Sequence, residues 1–183
     1  MPNFERHSIT FPSGQVHFIW REFGALSTLE LHEVMALRQR VFIMEQRCFY
    51  LDADKTDYEA LHLLGYIQTD HHSTLVAYLR VYPDREDATA DDHSSEGELS
   101  KTLGDQIKIG RVVIARKWRG QGLGLEMMKI CHDELRQQGV ARARLAAQAY
   151  VEGFYLHLGY TAIGEEFMDA GIPHVMMVKT LEE

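Results

Sequence analysis

The 183 residues carry 45% apolar and 25% charged side chains, the balance of a soluble globular chain long enough to bury one full core. A formal charge of −8 argues against a nucleic-acid backbone as partner, and no apolar run approaches the ~20 residues of a membrane span. The two cysteines, Cys48 and Cys131, lack the spacing of a zinc ribbon or disulfide framework, and no basic and apolar leader opens the chain, so a cytoplasmic protein is expected.

Met1 to Gly14 has no sustained period and reads as a loose arm. Gln15 to Glu22 alternates as a first strand. Ser27 and Glu30 form a capping-box pattern ahead of Leu29, Val34, Leu37 and Val41, which predicts a helix from Thr28 to about Arg40, with Met44 as its outer limit. The carboxylate-rich run EQRCFYLDADKTDYEA then reads as an ordered loop. Leu61 to Gln68 and Leu75 to Tyr82 predict an antiparallel pair around a polar turn, and Pro83 stops the second strand. From Pro83 to Asp105 eight acids face only Arg85 and Lys101, so this stretch holds −6 of the formal −8. It has no apolar stripe and predicts a mobile excursion.

Ile107 to Ile114 reads as a strand, and its apolar run Val112, Val113, Ile114 suits one covered on both faces. After the polar turn Arg116 to Arg119, the residues Leu123, Met127, Ile130, Cys131 and Leu135 recur at helical spacing until Gly139 supplies a left-handed C-terminal residue. Ala143 to Ala147 is a short strand, and Val151 to Leu158 a short helix ended by Gly159. Thr161 to Phe167 and His174 to Lys179 form a last hairpin about the turn Asp169 to Pro173. The expected order is β-α-ββ-βαβ-α-ββ, a single domain of mixed α/β class.

The helix at Leu123 opens on glycines. The first amides of a helix lack internal partners and carry the positive end of its dipole, and glycine lets a bulky anion approach them. Arg119 adds a reachable charge, so the stretch is shaped for a phosphate or pyrophosphate. It is not a Walker A loop, because Leu125 and Glu126 follow Gly124, and Gly120, Gly122 and Gly124 do not give the G-x-G-x-x-G of a dinucleotide site.

The string Arg119, Gly120, Gln121, Gly122, Leu123, Gly124 instead resembles the acetyl-coenzyme A loop of the GCN5-related N-acetyltransferases. The element order resembles that family from about Val16 to Lys179. The strings LRQRVFIMEQ (Leu37 to Gln46), GRVV (Gly110 to Val113), FY (Phe154 and Tyr155), GEEF (Gly164 to Phe167) and GIPH (Gly171 to His174) are similar to its ElaA-like branch. The resemblance implies about seven mostly antiparallel strands flanked by about four helices. It also implies a V-shaped splay after the fourth strand, and acetyl-coenzyme A as co-substrate.

Acetyl transfer to an amine needs a held thioester, an unprotonated amine, stabilisation of the oxyanion and a proton for the departing thiolate. By the resemblance, Val112, Val113 and Ile114 bind the cofactor through main chain, Arg119 to Leu125 hold its pyrophosphate, and Gln148 stands where an Asn often contacts pantetheine. Tyr155 stands at the place of the general acid. For the base, Glu45, Glu165, Glu166 and His174 are candidates; His174 alone has an ordinary pKa near neutrality, and strand alternation puts the two adjacent glutamates on opposite faces. Such carboxylates predict a cationic amine as acceptor. Asp52, Asp54, Asp57 and His62 lack the spacing of a calcium loop, and no metal is expected. Neither nucleic acid nor membrane is expected as partner, and a homodimer is left open. A catalytically silent coenzyme A sensor of the same fold is the alternative reading, and an unrelated phosphate-binding module a third.

Overall fold

The computed structural model describes residues 7–11, 14–68, 73–84 and 106–181. Residues 85–105, the body of the acidic stretch, lie outside the described residues, as do His71 and His72.

Eight strands form one sheet: β1 (His7–Phe11), β2 (Gly14–Glu22), β3 (Leu61–Gln68), β4 (Ser73–Pro83), β5 (Gln106–Ile114), β6 (Arg142–Gln148), β7 (Thr161–Asp169) and β8 (Ile172–Thr180). Their order is β1-β2-β3-β4-β5-β6-β8-β7. The helices are α1 (Thr28–Arg38), α2 (Thr56–Glu59), α3 (Leu123–Gln137) and α4 (Glu152–His157). The strand at His7–Phe11 corrects the expectation of a loose arm. It pairs antiparallel with β2 from His7↔Phe18 to Phe11↔Gly14.

Backbone contacts group the chain into two compact units, one of Asn3–Arg80 with Arg111–Cys131, the other mainly of Val81–Gly110 with His132–Glu183. In the first, the predicted capping box closes at Ser27: its Oγ accepts from the Glu30 amide at 3.1 Å and its own amide donates to Glu30 Oε2 at 2.8 Å. The inner face of α1 brings Val34 and Leu37 into a core with Val41, Phe42, Leu64, Leu75, Tyr78 and Val113. Beyond Arg38 the helix does not stop but widens into a π turn, Gln39–Glu45, in which the Gln46 amide reaches the Val41 carbonyl at 2.9 Å. Arg47, with φ 58, then turns the chain out of helical conformation.

In the second unit, β5 runs parallel to β6 and antiparallel ladders join β6 to β8 and β8 to β7. The β5 and β6 ladder lasts three pairs, Gln106↔Arg142 to Lys108↔Arg144, short beside the length of either strand. That early end is the splay expected after the strand preceding the glycine loop. Helix α3 buries Leu123, Met127, Ile130, Cys131 and Leu135 as its spacing predicts, and Gly139 takes φ 79 beyond its end.

Candidate active site

Strand β5 carries the first irregularity of the site. Arg111 sits at φ 54 within an extended strand, a left-handed conformation that costs a non-glycine residue about 1 kcal/mol or more. Immediately after it, Val113 is buried in the core with α1 while Val112 and Ile114 are only half-buried. The expectation of a strand covered on both faces is therefore corrected: one face packs, and the face bearing Val112 and Ile114 keeps access to solvent.

The strand ends at a short 3-10 turn, Arg116–Trp118, and the loop follows. Gly120 and Gly122 take φ 74 and 84, and a Cβ built on either would meet nothing within 4 Å. This is a cradle open to solvent, leading straight into the N-terminus of α3, where the Glu126 amide makes the first helical bond back to the Gly122 carbonyl at 3.1 Å. The amides ahead of Glu126 have no acceptor one turn earlier in the helix. Arg119 is anchored at its base, Nε donating to the Ile114 carbonyl at 2.9 Å, and its Nη2 pairs with Glu45 Oε2 at 2.8 Å. Gln121 donates to the Lys117 carbonyl at 3.1 Å, which fixes the loop from within. The donor set fits a pyrophosphate.

The arginine contacts of this unit show what the sequence left unread. Arg38, on the buried face of α1, donates Nε to Asp52 Oδ2 and Nη1 to Asp57 Oδ1, both at 2.8 Å. Arg80, within β4, forks onto both oxygens of Asp54 at 2.7 and 2.8 Å and also reaches Asp57. Arg111 donates Nε to Asp52 Oδ1 at 2.7 Å and Nη2 to Asp54 Oδ2 at 3.1 Å. Three guanidinium groups thus consume the three aspartates of the loop. Burial alone would raise the Asp54 carboxyl, but the hydrogen bond and charge of Arg80, joined by Arg111, outweigh it and bring it to about 2. His62 completes the group: its Nε2 donates to the Asp57 carbonyl at 3.0 Å and its Nδ1 accepts from the Tyr78 hydroxyl at 2.8 Å. Burial holds it neutral, with its pKa down at about 4. Among the described residues no His, Cys, Asp or Glu group is arranged to hold a metal.

In the second unit, β6 ends at Gln148, which accepts a hydrogen bond from the Tyr150 hydroxyl. Its cross-strand partner on β8 is His174. His174 is buried, and its Nδ1 donates to the Ile172 carbonyl at 2.8 Å, so the lone pair of the neutral ring resides on Nε2. The ring stacks on Phe167 of β7 at 5.9 Å between centroids. Tyr155, on α4, is buried edge-on against Phe154 and Tyr160, and desolvation pushes its hydroxyl pKa up. Glu165 and Glu166 are both exposed. They fall in a register shift between Ile163 and Phe167, beside Gly164 at φ 73, so plain alternation does not describe them.

Residues 97–181 match the Acetyltransferase (GNAT) domain. A UPF0039 protein of Synechocystis is 32% identical over 165 residues, 90% of this chain and 95% of that protein. The chain belongs to the GNAT acetyltransferases, in their ElaA-like branch. The crystal structure of an acyl-CoA N-acyltransferase from Pseudomonas aeruginosa superposes with a TM-score of 0.71 at 29% identity, covering 90% of this chain and 99% of that one. That of Escherichia coli ElaA gives 0.69 at 27%, with the same coverage. This GNAT protein is an acyltransferase.

Proposed function

We propose that this GNAT protein transfers an acetyl group from acetyl-coenzyme A directly to a primary amine of a small molecule or protein. The observation that carries the reading is the loop: two left-handed glycines with open space at their Cβ positions, an anchored arginine beside them, and a helix N-terminus behind. Bound there, acetyl-coenzyme A supplies the thioester carbon as electrophile.

The chain's own residues would do the rest. Arg119 and the amides of Gly120 to Leu125 hold the pyrophosphate, and the main chain of Val112, Val113 and Ile114 holds the pantetheine, with Gln148 as a further polar contact. The amine nitrogen attacks the carbonyl carbon as the carbon–sulfur bond breaks. The amine's surplus proton passes to a base, and Tyr155, kept protonated by burial, gives its proton to the thiolate. His174 suits the base by its tautomer, with Nε2 left to accept, and Glu166 is the second candidate. Glu45 is less suited, because its carboxylate is already engaged by Arg119.

Thiol release measured over a panel of amines, with calorimetry for acetyl-coenzyme A, tests the reading. Binding in the micromolar range and release dependent on an amine are expected. Absence of binding would overturn it.

A further inference from the structure

A groove of about 580 Å³ lies in the Asn3–Arg80 part of the first unit, and none of the roles above uses it. Met35, Ile43 and Met44 line it from α1 and the π turn, and Phe49, Tyr50 and Leu51 from the loop beyond. Met44, Phe49 and Leu51 are 74%, 85% and 84% exposed, an unusual display of large apolar side chains on neighbouring residues.

Polar chemistry within the groove is already committed. The Asp52 carboxylate at its floor receives Arg38 on one oxygen and Arg111 and Tyr50 on the other, and its carbonyl receives both arginines again. The three aspartates and three arginines behind it balance in charge. An ionised ligand group pushed onto this floor would have to break a buried pair or be desolvated without one. An alkyl or aryl group gains from every Å² it covers, and methionines adapt to its shape.

Position ties the groove to the transfer reaction. Met44 is followed by Glu45, the partner of Arg119 in the anion loop, and Tyr50 packs against the core that contains Val113 of β5. The wall itself includes a π turn, a geometry that is rare and concentrated at functional sites. The contacts proposed above for the donor lie on β5 and the loop ahead of α3, and none of those residues lines this groove.

We infer that the groove takes the apolar body of the acceptor, so that the substrate class is an alkyl- or arylalkylamine whose far end is uncharged. The inference rests on the acyl-transfer reading and narrows its acceptor.

Hexylamine and 1,6-diaminohexane separate the possibilities, since they share reach and reacting group and differ only in the charge at the far end. With acetyl-coenzyme A, kcat/KM for hexylamine is expected to exceed that for the diamine by ~10-fold or more. Leu51→Asp, at an exposed position that leaves the fold intact, should reverse the preference through KM while acetyl-coenzyme A affinity holds. A diamine preference in the parent, or an unchanged preference in Leu51→Asp, overturns the inference and leaves acyl transfer standing. So does a Leu51→Asp effect that follows donor chain length, hexanoyl- against acetyl-coenzyme A, which would place the donor's chain in the groove. If no amine releases thiol, acyl transfer itself fails. Binding of the neutral dye N-phenyl-1-naphthylamine then decides the groove alone: fluorescence lost in Leu51→Asp supports an apolar site, and fluorescence absent from the parent removes it.

Discussion

Arg111 donates its Nε to Asp52 at 2.7 Å from a backbone held at φ 54, so the one left-handed residue of β5 is also the one tied to the acidic loop. Between them the conformation and the ion pair fix the backbone just ahead of Val112, Val113 and Ile114, the residues proposed to hold the cofactor. Arg111→Gly and Arg111→Ala lose the same guanidinium, but only glycine accepts the backbone. The glycine variant should be the more stable by about 1 kcal/mol and keep the higher kcat. Equal melting temperatures and equal rates for the two would show that the conformation is incidental.

Gly122 and Gly139 offer a matched comparison, because both have positive φ and open space at the Cβ position. Substituting either by valine strains the backbone. Only Gly122→Val also fills the anion cradle, so it should weaken acetyl-coenzyme A binding by ~10-fold or more while Gly139→Val binds as the parent does. Calorimetry beside thermal melts separates the two effects.

Tyr155→Phe removes the proposed proton donor and keeps the ring that packs against Phe154 and Tyr160. A fall in kcat of ~10- to 10⁴-fold with unchanged cofactor affinity is expected. Since burial raises the hydroxyl's pKa, the parent should show no loss of rate from this group across neutral pH, and kcat/KM should rise with pH as amine and base lose protons. Full activity in the phenylalanine variant would remove Tyr155 from the reaction.

Two histidines make stability depend on acid. His62, desolvated in the arginine and aspartate group, and His132, desolvated beside Lys179 and Arg136 with its Nε2 on the Tyr160 hydroxyl, are both brought down to about 4. Between an ordinary 6.5 and that value the unfolded chain binds more protons than the folded one. The stabilisation is complete above pH 6.5 and declines as pH falls towards 4. Each histidine should cost about 1.4 kcal/mol per pH unit in that window, and Asp54 extends the loss down to about pH 2. Denaturant melts at pH 7.5 and 5.0 measure this, and His132→Gln should remove about half of the difference.

Local signals carried most of the fold. The Ser27 and Glu30 box and the period from Leu123 to Leu135 are contained within a few turns of chain, and each has the structure its pattern predicts. The strand, turn and helix around Gly120 and Gly122 were legible for the same reason. What escaped depends on distant partners. HSITF at the N-terminus alternates too briefly to be read as a strand, and β2 alone supplies its pairing. The aspartates of the loop meet arginines that lie 14 to 59 positions away, so spacing along the chain says nothing of their use. A clue did exist: Arg38 on the inner face of a helix and Arg80 inside the apolar run VAYLRVY demand buried counter-charges. The π turn left no mark, since Leu37 and Val41 continue an ordinary helical period into it.

Strand β7 is exposed along all nine residues and, among the described residues, pairs on one side only, with β8. An edge of that length is a template onto which another chain could polymerise. The break at Gly164 divides it into Thr161 to Ile163 and Phe167 to Asp169, and the break itself presents two adjacent carboxylates, Glu165 and Glu166. A second copy laid along this edge would bring like charges together over a disrupted ladder. On that geometry the glutamate pair would disfavour edge-to-edge pairing of copies, whether or not either carboxylate ever takes a proton from an amine.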